Sequence, residues 1–539
     1  MFPLHSADFY KVSHKKFMAD GTTQLYANFT PRSDKYMKFQ DSERRVVVVG
    51  PQFFAKDYLI NEWDTEFFSK PKAEVVAKFK RRMDTSLGQD AISVDHITAL
   101  HDLGYLPISL KALPEGSKVQ FKVPVLTLTN THPDFAWLVT YLETVLSSEL
   151  WPVLTSATTA YQFWTLCNRY ADATVGNRNH VMFQCHDFSA RGLMGRYATR
   201  LSGMGHLTCF SGTDTIAAID LVEDFYNVDA SKYFIAGSVP ASEHSVTSLG
   251  IAVEGEFETL DRWLTESYPV GLVSIVSDTL DYWKVLTEFL PKLKDKILAR
   301  QPSTVAPGKV VIRPDSGDPV RIVAGYREDE VMRIPAGRNP DGTEHNGKII
   351  VKAAQAYDQF EITENEFKGS IEVLYEIFGG AVNAQGYKQL DPHIGLIYGD
   401  SITLQRAEEI FSRLQQRGFA TDCVVFGVGS YTYQMVSRDT LGIAMKATYA
   451  VVDGKGYNLF KDPATDDGTK KSAKGLLRVE LEDGKYVLYD QQTPEQEEQG
   501  LLQEIFRDSE MTLETDWDEI RHRVQDIPYP AEEEEEVTE

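Results

Sequence analysis

Between Val181 and Gly429 the chain repeats one device, a short apolar run that stops abruptly at polar, charged or glycine residues. HVMFQC runs into His186-Asp187-Phe188, and HLTCF into Ser211-Gly212-Thr213-Asp214. KYFIA precedes the GSVPASEHS segment with His244, LVSIV precedes Ser277-Asp278, and VVI precedes Arg313-Pro314-Asp315-Ser316-Gly317. IGLI ends at Tyr398-Gly399-Asp400, and CVVF at Gly427-Val428-Gly429. Parallel strands buried on both faces have this pattern, and α/β barrels carry their chemistry where such strands end. The intervening segments are long enough for crossover helices. The pattern predicts an α/β barrel with one His, several carboxylates and one Arg converging on a single mouth.

The flanks differ. A strand-like piece at Gln24–Phe29, an apolar run at Val46–Val49 and amphipathic helical segments open the chain. KALPEGSKVQFKVPVLTLTN then alternates as antiparallel strands do. Phe135–Leu166 reads as a long buried helix leading into the barrel. After Lys446, ATYAVV, GYNLF and GLLRVELEDGKYVLYD return to antiparallel signals, with Asp-Gly as a hairpin turn. The expected division is a sheet and helix domain over 1–150, completed by 447–525, and a barrel over 151–446. About 80 residues separate Gly317 from Tyr398, too many for one helix. An inserted excursion over about 327–369 is expected there, with Pro340-Asp341-Gly342 as a turn and IIVKA as a small strand.

Composition narrows the partners. The 539 residues are 42% hydrophobic and 11% aromatic, ample for a packed core. Against 55 basic residues stand 79 acidic ones, a formal charge of −24, which repels nucleic acid and makes any phosphate site a local exception. Part of the excess lies in the tail after Pro528-Tyr529-Pro530, expected to be solvated over 528–539. Cys167, Cys185, Cys209 and Cys423 lack metal-type spacing and read as reduced core thiols. No signal-peptide core and no run long enough to span a bilayer is present, so a cytoplasmic protein with no membrane association is expected.

Several residues have the chemistry for a site. A loop His such as His244 is commonly just a surface residue, but Asp187, Asp278 and Asp315 each follow a different strand-like run. A carboxylate that fixes one imidazole nitrogen leaves the other nucleophilic, which suits proton transfer or transient phosphorylation. RPDSG is either an ordinary turn whose Asp or Ser caps the next helix, or a carboxylate gripping a ribose diol with Arg313 held against a planar or anionic group. Gly427-Val428-Gly429-Ser430 would present backbone N–H groups to a phosphate, with Arg438 and Lys446 supplying charge. No metal-ligand spacing stands out; a divalent ion would arrive on substrate oxygens.

With the ordered motifs ADFYKVSH, HDFSARG, GTDT, SVPASEHS, VSD, VIRPDSG, GD, RD and FKDP, the chain resembles the type II phosphoribosyltransferases that use nicotinamide. The insertion makes it look like a bacterial or phage version. The resemblance implies an irregular α/β barrel of the type II kind beside a largely antiparallel sheet domain built from both termini. It implies that nicotinamide and phosphoribosyl pyrophosphate (PRPP), with Mg²⁺ carried by PRPP or ATP, give nicotinamide mononucleotide and pyrophosphate in NAD salvage. ATP would phosphorylate His244, with Asp278 nearby. The pyridine would lie between Phe188 and a Tyr10 from the partner of a homodimer. Asp214 would accept from the carboxamide, repelling nicotinate, the alternative substrate; Arg313 would lie by the base and Asp315 on the ribose. Arg191, Gly399, Asp400, Gly429, Ser430 and Lys470 would line the base and phosphate ends, joined by the partner's Arg32, Arg438 and Lys446. Ala190, Gly429-Ser430-Tyr431 and Ala444 depart from the family's usual Tyr, glycine run and Ser. A non-catalytic nucleotide-binding protein on the same scaffold is the remaining alternative.

Overall fold

Six parallel strands pair in the spatial order Gly212–Thr213, Cys185–Asp187, Val424–Val428, Ile394–Tyr398, Lys309–Arg313 and Leu272–Val276. The two edge strands are joined through a bridging segment. Gly212 pairs with Gly237 and Ala241 with Ser274, both in the parallel sense. Thr213 N–H donates to Gly237 O at 3.0 Å and Ser274 N–H to Pro240 O at 2.9 Å. The sheet thus closes into an irregular barrel whose seam is 237–241. This computed structural model describes residues 1–527 apart from 38, 41–43, 339–342, 354–357 and 463–470. The expected acidic tail, the Pro340-Asp341-Gly342 turn and Lys470 lie outside the described residues.

Two of the apolar runs are not strands. HLTCF closes the helix Gly195–Leu207 and the turn after it, and the strand that follows is only Gly212–Thr213. KYFIA has no ladder of its own and leads into the bridging seam. HVMFQC is split between a helical turn, Val181–Phe183, and the strand Cys185–Asp187. The polar ends still arrive at one rim, because the runs of Leu272–Val276, Lys309–Arg313, Ile394–Tyr398 and Val424–Val428 fix the barrel's core.

A seven-stranded antiparallel sheet lies beside the barrel. Its order is Lys455–Asn458, Ala444–Val452, Thr22–Thr30, Leu126–Asn130, Ile108–Ala112, Gln503–Arg507 and Glu510–Met511, so C-terminal strands flank three N-terminal ones on both sides. Asn28 is paired with Lys446 and Phe29 with Met445. The hairpin Leu476–Glu482/Lys485–Gln492 turns at Asp483 and Gly484, both at positive φ (48° and 76°), as Asp-Gly in a two-residue turn requires.

The helix Glu143–Thr174 links sheet and barrel and is buried along most of its length, with polar residues such as Thr155, Ser156, Thr158 and Gln162 among the buried ones. Its Thr155, Thr158, Thr159, Thr165 and Thr174 hydroxyls donate to carbonyls four residues back, so burial leaves none of them unsatisfied. The helix Trp517–Gln525 packs under the barrel seam. There the buried Arg521 donates to Ile235 O at 3.2 Å and to Ser211 Oγ at 2.8 Å. All four cysteines are buried and unpaired. Among the described residues no helix is long and apolar enough to cross a membrane.

The insertion has its own small core. Strands Val331–Ile334, Lys348–Val351 and Phe360–Ile362 form a sheet whose Val331, Ile349, Val351 and Ile362 pack with Tyr326 and Phe367. It is tied to the barrel's outer helix Leu404–Gln416 by Arg413, only 3% exposed, which grips both Glu330 oxygens at 2.7 Å and Gly325 O at 2.9 Å. Burial alone would raise the Glu330 carboxyl. The Arg413 hydrogen bonds override it and hold the group at about 2. Arg413→Met should therefore cost about 1–3 kcal/mol, because Glu330 loses its two shortest charged donors and keeps only the Arg327 N–H at 2.8 Å and the more distant Arg321 and Arg327 guanidinium groups, each at 3.7 Å. Denaturant unfolding reads the loss, and limited proteolysis should cut first within 327–369; an unchanged midpoint and cleavage pattern would contradict the tether.

Candidate active site

Two buried carboxylates build the rim. Asp187 is fully buried and accepts from Ser189 N–H (2.9 Å), Ser189 Oγ (2.6 Å), Thr215 Oγ1 (2.8 Å) and Thr213 Oγ1 (3.4 Å). It is scaffold, which corrects the sequence expectation grouping it with Asp278 and Asp315. Asp278 Oδ2 accepts from Asp315 N–H (3.0 Å), Ser316 N–H (2.7 Å) and the Ser316 hydroxyl, pinning the RPDSG turn. The helix that follows, Pro319–Ala324, is capped by Asp318. Asp315 is thereby freed from capping and turns into the mouth.

Strand alternation sorts the side chains: His186 and Phe188 lie on one face of their strand and Asp187 on the other. Arg313 is 9% exposed, donates Nη2–H to Ser242 O at 2.8 Å, and sets its guanidinium 5.9 Å from the Phe188 ring centre. Its Nε lies 3.5 Å from Asp315 Oδ1. Two glycines make room. A Cβ on Gly399 would sit 2.0 Å from Asp315 Oδ1, and one on Gly427 would sit 2.5 Å from Phe188 Cδ2.

His244 is not in a loop; it is the first residue of the helix His244–Glu254. Its Nε2 lies 3.7 Å from both Asp278 Oδ1 and Asp315 Oδ2, and Nδ1 lies 3.1 Å from Thr279 Oγ1. Among the described residues, Asp278 Oδ1 and Asp315 Oδ1 are buried and accept no hydrogen bond. Burial pushes the Asp315 carboxyl up; Arg313 and His244 oppose it, while Asp278 and Asp400 add to it, and the net shift is upward.

A cavity of about 710 Å³ opens at this rim, lined by Phe188, Arg191, Asp214, Arg313, Asp315, Gly399, Asp400, Gly429 and Ser430 among others. Gly429 precedes the short helix Ser430–Tyr433, and its carbonyl accepts from Thr432 N–H (3.1 Å) and Tyr433 N–H (3.2 Å). Asp214 Oδ1 meets His186 Nε2 at 2.8 Å and accepts from Ser238 Oγ at 2.6 Å. Burial raises this carboxyl, but His186, Ser238 and Arg313 outweigh it and the net shift is downward.

Tyr10, Arg32, Arg438 and Lys446 do not line this cavity; they gather elsewhere. Burial depresses the Lys446 ammonium, Glu143 opposes that, and Arg32, Lys461 and Arg438 depress it further, so these cations share one patch. Arg32 Nε–H donates to Gly442 O at 2.9 Å. Tyr10 feels the same Arg438 and is 61% exposed. Among the described residues, no group of three or more His, Cys, Asp or Glu could hold a metal ion.

A sequence profile of the nicotinate phosphoribosyltransferase (NAPRTase) family matches residues 183–510. The chain belongs to this family. It is 49% identical over 523 residues to the nicotinamide phosphoribosyltransferase of Acinetobacter baylyi, covering 97% of each chain. It is 32% identical over 488 residues to that of Mycoplasma pneumoniae, covering 88% of this chain and 94% of the other. Among solved structures it is similar in fold to the nicotinate-nucleotide pyrophosphorylase from Pyrococcus furiosus. There the TM-score is 0.54 at 15% identity, over 97% of this chain and 95% of that one.

Sequence reasoning missed His186, Ser238, Ser242 and Thr279 as members of the rim. His186 was legible from period-two alternation with Phe188, and Ser238 from its place in GSVPASEHS. The partners of Thr279 and Ser242 depend on how turns from different strands meet. Gly399→Ala should cut phosphoribosyl transfer by about a hundredfold, since an Asp315 displaced by even 1 Å loses its alignment. Steady-state kinetics beside an unchanged circular dichroism spectrum would show this; wild-type kcat/KM would refute the close-approach requirement.

Proposed function

We propose that the chain is a nicotinamide phosphoribosyltransferase, converting nicotinamide and PRPP to nicotinamide mononucleotide and pyrophosphate in NAD salvage. The observation that carries this is Asp214: an ionised carboxylate on the cavity wall, with one oxygen held by His186 and Ser238 and the other open. A carboxamide N–H is donated to such an oxygen, whereas the carboxylate of nicotinate is repelled by it. The names of the relatives in Acinetobacter and Mycoplasma agree with this choice.

The pyridine lies on Phe188 near the Arg313 guanidinium, with its ring nitrogen directed at the anomeric carbon of PRPP. The nitrogen lone pair forms the new N–C bond as the C–O bond breaks and its electron pair leaves with pyrophosphate. The sugar passes through an oxocarbenium-like state, as in glycoside cleavage. Asp315, beside the ribose, is placed to accept from a hydroxyl and to face that developing positive charge. Arg191, Asp400 and the Gly429-Ser430 turn lie toward the phosphate groups. The orphaned oxygens of Asp278 and Asp315 are hard donors that would face Mg²⁺ arriving on PRPP, and the ion would supply charge neutralisation for the leaving group.

His244 fits the ATP-dependent step. With two carboxylates toward Nε2, the ring proton belongs there and the lone pair on Nδ1, beside the Thr279 hydroxyl. Attack of the Nδ1 lone pair on the γ-phosphorus of ATP, with the bond from that phosphorus to the ADP oxygen breaking, gives phosphohistidine and ADP. The cationic patch of Arg32, Arg438 and Lys446, with the exposed Tyr10, Phe9 and Phe17 nearby in sequence or space, supports a homodimer in which a second chain brings these residues to the mouth.

Purified protein with PRPP should turn over nicotinamide far faster than nicotinate; equal use of both would remove the amide reading. His244→Ala should abolish stimulation by ATP and reduce turnover by about a hundredfold. It should also take up no label from γ-³²P-ATP. ATP-stimulated turnover at the wild-type level in that variant would strip His244 of its role.

A further inference from the structure

Asp214 follows the two-residue strand Gly212–Thr213, and its two oxygens are in different situations. Oδ1 is engaged twice, by His186 Nε2 at 2.8 Å and the Ser238 hydroxyl at 2.6 Å. Among the described residues, Oδ2 accepts no hydrogen bond, and the side chain is 47% exposed toward the cavity it lines. An ionised carboxylate has only acceptors, so both contacts are donated to it and His186 carries its proton on Nε2.

The two donors are themselves fixed. The His186 ring packs on Phe188 with centroids 4.8 Å apart, and its chain neighbour Asp187 is locked by four hydrogen bonds. Ser238 follows Gly237, whose N–H donates to Ser211 O and whose C=O accepts from Thr213 N–H. Asp214 N–H in turn donates to Asp187 O at 3.0 Å. A donor from the neighbouring strand and one from the bridging seam therefore hold one oxygen of the carboxylate between them.

We infer that His186 and Ser238 are positioning residues that set the preference for amide over acid, by clamping Asp214 Oδ1 and leaving Oδ2 turned to the base. This deepens the reading of Asp214 as the carboxamide acceptor and rests on it. A carboxylate free to rotate presents either oxygen at any angle and loses the directed acceptor. The clamp also holds the group ionised. His186, Ser238 and Arg313 face the carboxylate from three elements, and Arg191, Glu243 and Asp315 line the same cavity. Burial opposes ionisation; without the two hydrogen bonds Arg313 opposes burial alone, and proton uptake moves to higher pH. A protonated Asp214 donates, and a donor there accepts nicotinate. In a chain without the clamp, use of the acid should therefore begin at a higher pH than in the wild type.

Four variants test this, each assayed with PRPP and either base between about pH 6 and 8. His186→Phe keeps a ring against Phe188 and removes the donor. Its ratio of kcat/KM for nicotinamide over nicotinate should fall about 30-fold, through KM more than kcat, with any rise of nicotinate turnover toward low pH setting in at a higher pH than in the wild type. His186→Gln restores an N–H and should recover most of the ratio. Ser238→Ala should lower it about 5-fold. Asp214→Asn should lose the preference at every pH. If Asp214→Asn loses the preference while His186→Phe and Ser238→Ala keep the wild-type ratio across the range, the clamp is wrong. If Asp214→Asn itself keeps the preference, the reading of Asp214 is wrong instead. Should His186→Phe fail to fold, as judged by thermal unfolding, Ser238→Ala decides, and an unchanged ratio there overturns the clamp.

Discussion

Two buried carboxylates hold the barrel mouth in shape, and the turns that carry Phe188, Asp214 and Asp315 depend on them. Asp187 ties the Ser189 turn to Thr213 and Thr215, so Phe188 and Asp214 are set by one anchor. Asp278 ties the Asp315 turn, so Arg313, Asp315 and the groups facing His244 are set by the other. Neither anchor is free to react at the oxygens that bear these bonds. A buried carboxylate without donors would cost several kcal/mol, and here backbone N–H and hydroxyl donors offset that cost while fixing the geometry. The rest of the rim follows from the two glycines that let Phe188 and Asp315 come close to neighbouring strands.

The barrel was legible in the sequence where strands carry four or five apolar residues, as at Leu272–Val276 and Ile394–Tyr398. It was illegible where pairing does not depend on apolar runs. Gly212–Thr213 is two small residues, and the 237–241 seam makes isolated bridges only. HLTCF misled because an apolar run alone does not separate a buried helix from a buried strand. The joining of the two termini in one antiparallel sheet was visible as a return of alternation after Lys446. The order of its strands was not, since non-local pairing leaves no local signal.

Among site residues, those at strand ends were readable from their position after an apolar run. Asp187 shows the limit of that rule: it ends a strand as Asp278 does, yet it faces outward and bonds only to its own scaffold. Facing is a matter of one residue in register, and sequence position alone does not resolve it. His186, one residue before it, faces the mouth for the same reason.

The rim and the Tyr10–Arg438–Lys446 patch carry complementary halves of the proposed chemistry, base and ribose recognition on one and cationic charge on the other. In a symmetric dimer the two halves meet twice, and an inactive site of one kind is complemented by its opposite. Mixing two inactive variants, His244→Ala in the rim and Arg438→Ala in the patch, tests this division most directly. Random reassortment should restore about a quarter of wild-type sites, each in a dimer of one chain of either kind. A reassorted mixture no more active than its parents would contradict a site divided between two chains.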